Sequence, residues 1–166
     1  MILMTALRIN VSDLLRRPGN TRDVRLDAAL EGLENSSARV DEPLTLVLRL
    51  ESLSHGIVAS GRVRGRWTAA CSRCLEPAAS DFDLRLREVF EDHPVEDETY
   101  PIQSDEIDLE QPLRDVVVPE LPIFPLCDPE CLGLCPVCGA DRNEDPCGCD
   151  TSPRDLRWEA LRDLEL

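Results

Sequence analysis

Eight cysteines set the chemistry open to this sequence. Cys71 and Cys74 form a Cys-x2-Cys pair, and Cys127, Cys131, Cys135, Cys138, Cys147 and Cys149 follow within 23 residues of one another. Zinc takes four soft ligands at about 2.3 Å around a tetrahedron, and two intervening residues let both thiolates of one tight turn reach the same ion. Cys135-Pro136-Val137-Cys138-Gly139 has the form of a zinc knuckle, in which glycine permits the backbone turn and nearby amide N–H groups hydrogen-bond the sulfurs. Eight ligands divide into two tetrahedra, so two zinc ions with four cysteine ligands each are expected. Chain order suggests that Cys135, Cys138, Cys147 and Cys149 close a local site, leaving Cys71, Cys74, Cys127 and Cys131 as a long-range tie. One site with spare thiols, or Cys131 exchanging places with another ligand, competes with that partition.

Other uses of these thiols fit less well. A thioredoxin-like role wants the first thiol of Cys71-Ser72-Arg73-Cys74 at a helix N-terminus after a parallel strand, whereas this pair sits inside an antiparallel pattern. An iron–sulfur cluster and an absence of metal are minor readings. Catalytic zinc needs an open coordination position and usually a His or carboxylate neighbour. The two histidines, His55 and His93, lie far from every cysteine in sequence, and read as a turn residue and a solvated loop residue. No Ser-His-Asp arrangement or catalytic carboxylate pair can be assigned, so the chain is expected not to be an enzyme.

Those ligands need a frame, and hydrophobic alternation supplies it. Leu44, Leu46, Leu48 and Leu50 alternate with polar neighbours; Ile57, Ala59, Val63 and Trp67 share one parity, as do Phe82, Leu84, Leu86 and Phe90. Short connections make these three strands an antiparallel meander with one covered face. Leu7, Ile9 and Val11 predict a first strand, followed from Ser12 by a helical turn ending at Pro18-Gly19. Val24, Leu26, Ala28 and Leu30 predict a second strand, and Glu31 to Glu42 reads as a polar loop. Gly61 and Gly65 suggest bulges or strong coiling, hence a curved sheet or partial barrel.

The stretch from Glu91 to Glu110 holds nine acidic residues and no basic one, and reads as a mobile acidic loop. Asp108 with Gln111 resembles a capping box, and Leu109, Leu113, Val116 and Val117 make a helical stripe that Pro119 ends or kinks. A proline-rich approach from Leu121 to Leu126 delivers an extended chain to the cysteines. Beyond them, Ser152-Pro153-Arg154-Asp155 caps an amphipathic helix through Leu156, Ala160, Leu161 and Leu164. The expected class is therefore α+β: mainly a curved antiparallel sheet or partial barrel, a few short helices and a C-terminal zinc-knuckle segment. Residues 1–100 form the sheet part with the first cysteine pair, and residues 101–166 form the helix and cysteine-rich part, together one compact unit.

Composition narrows the partners. Aromatic residues are 4% of the 166 residues, so the core rests on Leu, Val, Ile and Ala, and it gains from metal cross-links. Structural zinc supplies about 10–16 kcal/mol of apparent binding energy to the folded state. The formal charge is −15, which disfavours binding nucleic acid through the whole surface and favours basic protein partners. No apolar run approaches the roughly 20 residues that span a bilayer, and Met1 to Asn10 lacks the marks of a signal peptide. A cytoplasmic location, where thiols stay reduced, is expected, with no membrane partner. Against the acidic background, Arg62, Arg64 and Arg66 line one exposed strand face with Arg73 in the following turn, and this stripe is the candidate RNA contact. Its competitor is a solvated face paired with acids, and Trp67, on the apolar parity, reads as core rather than as a base-stacking platform.

With those residues in view, the chain resembles the YceD family of large-subunit ribosomal RNA accumulation proteins. The resemblance runs through Cys71-Ser72-Arg73-Cys74-Leu75, then Ile107-Asp108-Leu109, Leu113-Arg114 and Leu121-Pro122. It closes on Cys127, Cys131, Gly133-Leu134-Cys135-Pro136-Val137-Cys138-Gly139 and Cys147-Gly148-Cys149, and so covers roughly residues 40–150. The resemblance implies a non-enzymatic role in accumulation of the large-subunit RNA and assembly of the large ribosomal subunit. The expected partner is a large-subunit precursor, reached through a basic ribosomal protein, RNA or both. Some members match only at the first cysteine pair, which implies that the second site is dispensable to the shared role. Pro119 departs from the family pattern and implies a shorter helix. The competing function is a thiol-based redox or metal-handling protein, which rapidly reactive thiols in the zinc-loaded form would favour.

Overall fold

The computed structural model describes residues 7–96, 98–144 and 147–150. Eight strands form one sheet: β1 (Arg8–Asn10), β2 (Thr21–Ala28), β3 (Ala38–Arg39), β4 (Leu44–Leu53), β5 (Gly56–Ala70), β6 (Pro77–Glu91), β7 (Tyr100–Gln103) and β8 (Glu106–Asp108). Two short helices, α1 (Ser12–Leu15) and α2 (Glu110–Val117), complete the elements, with a 3-10 turn at Val118–Glu120. The strand order is β1-β8-β7-β6-β5-β4-β2, and β3 pairs with β5 beside that path.

Alternation makes the central strands. Leu44, Leu46, Leu48 and Leu50 are all buried, while Thr45, Val47 and Arg49 point the other way. Register carries the same parity across the meander, so that Leu46 stands opposite Val63, and Val63 opposite Leu84. β1 and β2 lie at opposite ends of the strand order, yet residues 11–20 alone join them. A ten-residue connection forces the two edges toward each other, so the sheet curls into a half-barrel around the core. Phe90, Ile107, Leu109, Leu113 and Val117 share that core with the leucines of β4. Trp67 packs partly buried against the core, as its parity predicts.

Gly61 and Gly65 are not at bulges. The register runs unbroken from Thr45↔Arg64 to Leu53↔Gly56 and from Ile57↔Phe90 to Ala70↔Pro77. The curl explains the glycines instead: a Cβ at Gly61 would strike the Val47 carbonyl oxygen and come within 2.8 Å of Leu48 Cα. A Cβ at Gly65 would lie 2.6 Å from both Leu44 Cδ2 and Phe82 Cζ.

Three further expectations need correction. The polar stretch 31–42 contains β3 and buries Leu33, Ala38 and Val40. Asn35 organises it locally, its Oδ1 accepting the amides of Ser37 and Ala38 at 2.8 Å, a turn that periodicity does not reveal. The acidic stretch 91–110 is not simply a loop, because it contains the β7–β8 hairpin, with Ile102 and Ile107 buried and Ser104 and Asp105 both at positive φ in the turn. Strands this short offer too few alternations to register, and β7 joins the sheet through a short parallel pairing with β6. The capping box forms only halfway. Asp108 Oδ1 accepts the Glu110 amide at 2.9 Å, but the helix starts after Leu109, so Pro112 takes the place a Gln would need and Gln111 turns to Asp115 instead.

α2 ends before Pro119, which lies in the 3-10 turn. The expected division at 100/101 falls inside β7. The expected helix through Leu156 and Leu164 lies outside the described residues. Among the described residues, no helix is long and apolar enough to cross a membrane.

Candidate metal centres

The turn joining β5 to β6 presents Cys71 and Cys74, and the chain leaving α2 returns to cover it. The Asn35 side chain donates to the Leu121 carbonyl at 3.0 Å, and the Ser72 amide donates to the Pro125 carbonyl at 2.8 Å. Those anchors bring Cys127 and Cys131 onto the turn. Cys71 and Cys131 sulfurs are 3.8 Å apart, Cys74 and Cys127 sulfurs 3.5 Å, and all four lie within 4.8 Å of one another. A tetrahedron with metal–sulfur bonds of about 2.3 Å has edges of about 3.8 Å, so the spacing suits one ion. Cys71, Cys74 and Cys131 are buried and Cys127 is exposed.

Cys135, Cys138, Cys147 and Cys149 make the second group, also within 4.8 Å of one another. The Gly139 amide donates to the Cys135 carbonyl at 2.8 Å, and the turn needs Gly139 at φ +77°. The two groups of four are those that chain order suggests.

The electrostatics of both clusters suit a cation. Burial pushes the Cys71 thiol up, but the backbone amides of Cys127, Cys74 and Arg73 outweigh it and bring it down to about 6. Its neighbour Cys127 is pushed up to about 12, first by its hydrogen bond with Cys74 and then by burial. The second cluster repeats the contrast: amides of Cys138 and Val137 lower Cys135 to about 6, while Cys138 and Cys147 raise Cys149 to about 12. One thiolate per cluster forms readily and the last does not, because like charges this close repel until a metal neutralises them.

Neighbouring groups fix the first cluster. The Arg73 amide donates to Cys71 Sγ at 3.4 Å, and Asn143 Nδ2 to Cys131 Sγ at 3.5 Å. Arg73, a candidate RNA residue, turns its guanidinium onto the Cys131 carbonyl at 2.7 Å and the Pro129 carbonyl at 3.3 Å. Its own carbonyl accepts the Leu134 amide, and Gly133, at φ +70°, packs so closely that a Cβ there would lie 2.9 Å from that oxygen. Asn143 went unnoticed in the sequence; its signal is the Asp141-Arg142-Asn143 turn, in which Asp141 Oδ1 accepts the Asn143 amide at 2.8 Å. His55 and His93 are exposed around a cleft at the Gly56 end of β5. The cysteines sit past its Ala70 end, roughly 45 Å of strand away.

Arg62, Arg64 and Arg66 lie together on the outer face of the sheet, each against a carboxylate. Arg62 and Arg64 share Asp83 at 2.7 and 3.1 Å, and Arg66 holds Asp81 at 2.9 Å. Arg25, Arg85 and Arg87 stand on the same face and form no ion pair among the described residues. Arg62 lies directly opposite both Val47 and Arg85, and Val47 opposite Arg25, so three arginines share one rung. Like charges facing across a sheet are unfavourable, and Asp83 relieves them. The Arg62 hydrogen bond, assisted by Arg64, brings the Asp83 carboxyl from its ordinary 3.8 down to about 2. A lowered folded-state value means that stability from Asp83 is complete above the unfolded value and disappears as pH falls through the folded one. Asp83→Asn is therefore expected to lower the melting temperature by an amount constant from neutrality to about pH 4 and shrinking toward pH 2, followed by circular dichroism.

The family model described as large ribosomal RNA subunit accumulation protein YceD matches residues 59–165, a span holding all eight cysteines. The chain belongs to the YceD family. The YceD match begins within β5, so it includes both four-cysteine groups and the β7–β8 hairpin. Similarity extends further in individual relatives. An uncharacterized protein of Mycobacterium tuberculosis strain H37Rv is 34% identical over 168 residues, covering 95% of this chain and 81% of that protein. One of Mycobacterium leprae is 30% identical over 173 residues, covering 98% and 79%. The chloroplastic large ribosomal RNA subunit accumulation protein YCED homolog 1 of Zea mays is 24% identical over 187 residues, covering 92% of this chain and 64% of that protein. No solved structure matches the chain.

Proposed function

We propose that this protein is a non-enzymatic, zinc-stabilised factor that supports accumulation of large-subunit ribosomal RNA and assembly of the large ribosomal subunit. Family membership supports the ribosomal role. The observation that carries the rest is the pair of four-thiol groups, with sulfur separations of 3.5 and 3.8 Å in the first. All-cysteine sets select soft metals, and closed sites of four thiolates are the structural zinc arrangement. Cys71, Cys74, Cys127 and Cys131 would hold one ion and Cys135, Cys138, Cys147 and Cys149 the other; bound zinc supplies a cross-link and charge neutralisation. The zinc-loaded chain then acts in the cytoplasm by presenting surfaces.

The net charge of −15 suits a basic ribosomal protein as the partner. Any contact with RNA falls to the outer face, where Arg25, Arg85 and Arg87 are not neutralised and Arg62, Arg64 and Arg66 border them. That face carries no aromatic residue on its central rungs, so it suits phosphates rather than bases. Elemental analysis of purified, reduced protein is expected to return two zinc ions per chain. Affinity capture from lysate at low and high salt is expected to recover large-subunit precursors. A metal-free protein that still melts cooperatively, or recovery of neither ribosomal protein nor precursor RNA at either salt, overturns the reading.

A further inference from the structure

Leu75 occupies a position where the second cluster uses glycine. Each Cys-x2-Cys turn ends with an amide donating back to its first cysteine: Leu75 to the Cys71 carbonyl at 3.0 Å, Gly139 to the Cys135 carbonyl at 2.8 Å. Their φ angles match, +69° and +77°. A leucine in the left-handed region is strained, whereas glycine is not. Packing does not compensate for that strain, because the Leu75 side chain is 67% exposed. A strained backbone that holds a large apolar side chain in water points to a use outside the chain.

Its surroundings extend the patch. Leu75 lines a shallow cleft of about 570 Å³ with Ala69, Ala70 and Pro77. The strap from Leu121 to Pro125 is anchored at one end to Asn35, on the rim of that cleft, and at the other to Ser72 in the cysteine turn. Between the anchors, Ile123 is 64% and Phe124 80% exposed. The charged groups around it lean one way. Glu34 lines the cleft, Glu76 follows Leu75 and Glu120 precedes the strap, all three exposed, whereas Arg39, also on the cleft, is engaged by Asp41 and Arg73 by backbone carbonyls. Large aromatic and aliphatic anchors ringed by charge are how interfaces concentrate binding energy.

We propose that Leu75, Ile123 and Phe124 form an apolar docking site for a basic protein of the large ribosomal subunit, gripped through its aliphatic or aromatic side chains and held in register by the acidic rim. The site rests on the ribosomal reading above and names where the protein contact is made. The first metal centre positions it, since the Cys71–Cys74 turn and the strap meet there.

The test compares the zinc-loaded full chain with Leu75→Gly and Phe124→Ser, each immobilised and exposed to the proteins salt-extracted from purified large subunits. Leu75→Gly is expected to keep its metal content and to melt at or above the parent temperature, because glycine relieves the φ strain. It is also expected to retain at least tenfold less of the basic protein that the parent captures, with Phe124→Ser behaving alike; crosslinking of the parent complex should map contacts to residues 75 and 121–125. Undiminished capture by both variants overturns the proposal. So does loss of metal by Leu75→Gly, which makes the leucine structural, or a parent that captures no basic protein, or crosslinks from these residues only to RNA, to a second copy or to the chain itself. The ribosomal reading fails separately, on co-sedimentation of the parent with large-subunit precursors.

Discussion

Replacing Cys131 with serine is expected to remove one of the two proposed ions and to free the chain after Leu121 from the β5–β6 turn. Cys131 is 4% exposed and comes from a loop 60 residues beyond Cys71, so no local contact substitutes for it. Structural zinc contributes about 10–16 kcal/mol of apparent binding energy, comparable with the whole stability of an ordinary domain at about 5–15 kcal/mol. The same substitution removes the sulfur that accepts from Asn143 and, with the ion gone, loosens the loop whose Cys131 carbonyl Arg73 holds. Zinc per chain should fall from two to one, and amide exchange should accelerate at Ser72 and Leu134, whose hydrogen bonds bridge the joined segments. Cys149→Ser should also lose one ion but leave those amides protected, because its cluster closes within residues 135–149. Equal effects of the two substitutions on the bridging amides would contradict the division into a long-range tie and a local loop.

Phe90→Ala is expected to cost about 3–5 kcal/mol, the usual range for emptying a buried aromatic site. The ring is fully buried where the meander meets the β7–β8 hairpin: Phe90 pairs with Ile57 on one side and Tyr100 on the other, with the Tyr100 ring 5.6 Å away. Tyr100 in turn donates its hydroxyl to Asp115 of α2 at 2.8 Å, and burial together with that carboxylate pushes its phenol up, so it remains a donor. One deletion therefore loosens the link from β6 through β7 to α2. Denaturant unfolding measures it, with Phe82→Ala, only half buried, as the milder comparison. A loss below about 1 kcal/mol at Phe90 would mean that the hairpin is not anchored there.

The three long strands were legible because each repeats its alternation often enough to stand out, as Leu44 to Leu50 does. The hairpin around Ile102 and Ile107 was hidden because three- and four-residue strands carry one buried residue each, inside a stretch dominated by charge. Gly61 and Gly65 could be located but not explained, since a glycine in a strand marks a bulge or a close approach with the same letter. Arg73 went the same way: an arginine beside Arg62, Arg64 and Arg66 in sequence reads as part of their stripe, but its turn points it into the first cysteine cluster.

The sequence by itself determined the donor set, the parity of the central strands and the family, and it suggested the division of the donors into a distant and a local group of four that the structure shows. Ligand type and short spacing are local properties, and they survive translation into structure unchanged. Tertiary structure alone decided which arginines are neutralised, that Arg25 and Arg85 share a rung with Arg62, and that the strap carrying Ile123 and Phe124 is anchored to the turn that holds the strained Leu75. Those relations depend on register between strands and on where the returning chain lands, and both follow from how the curled sheet closes around its core.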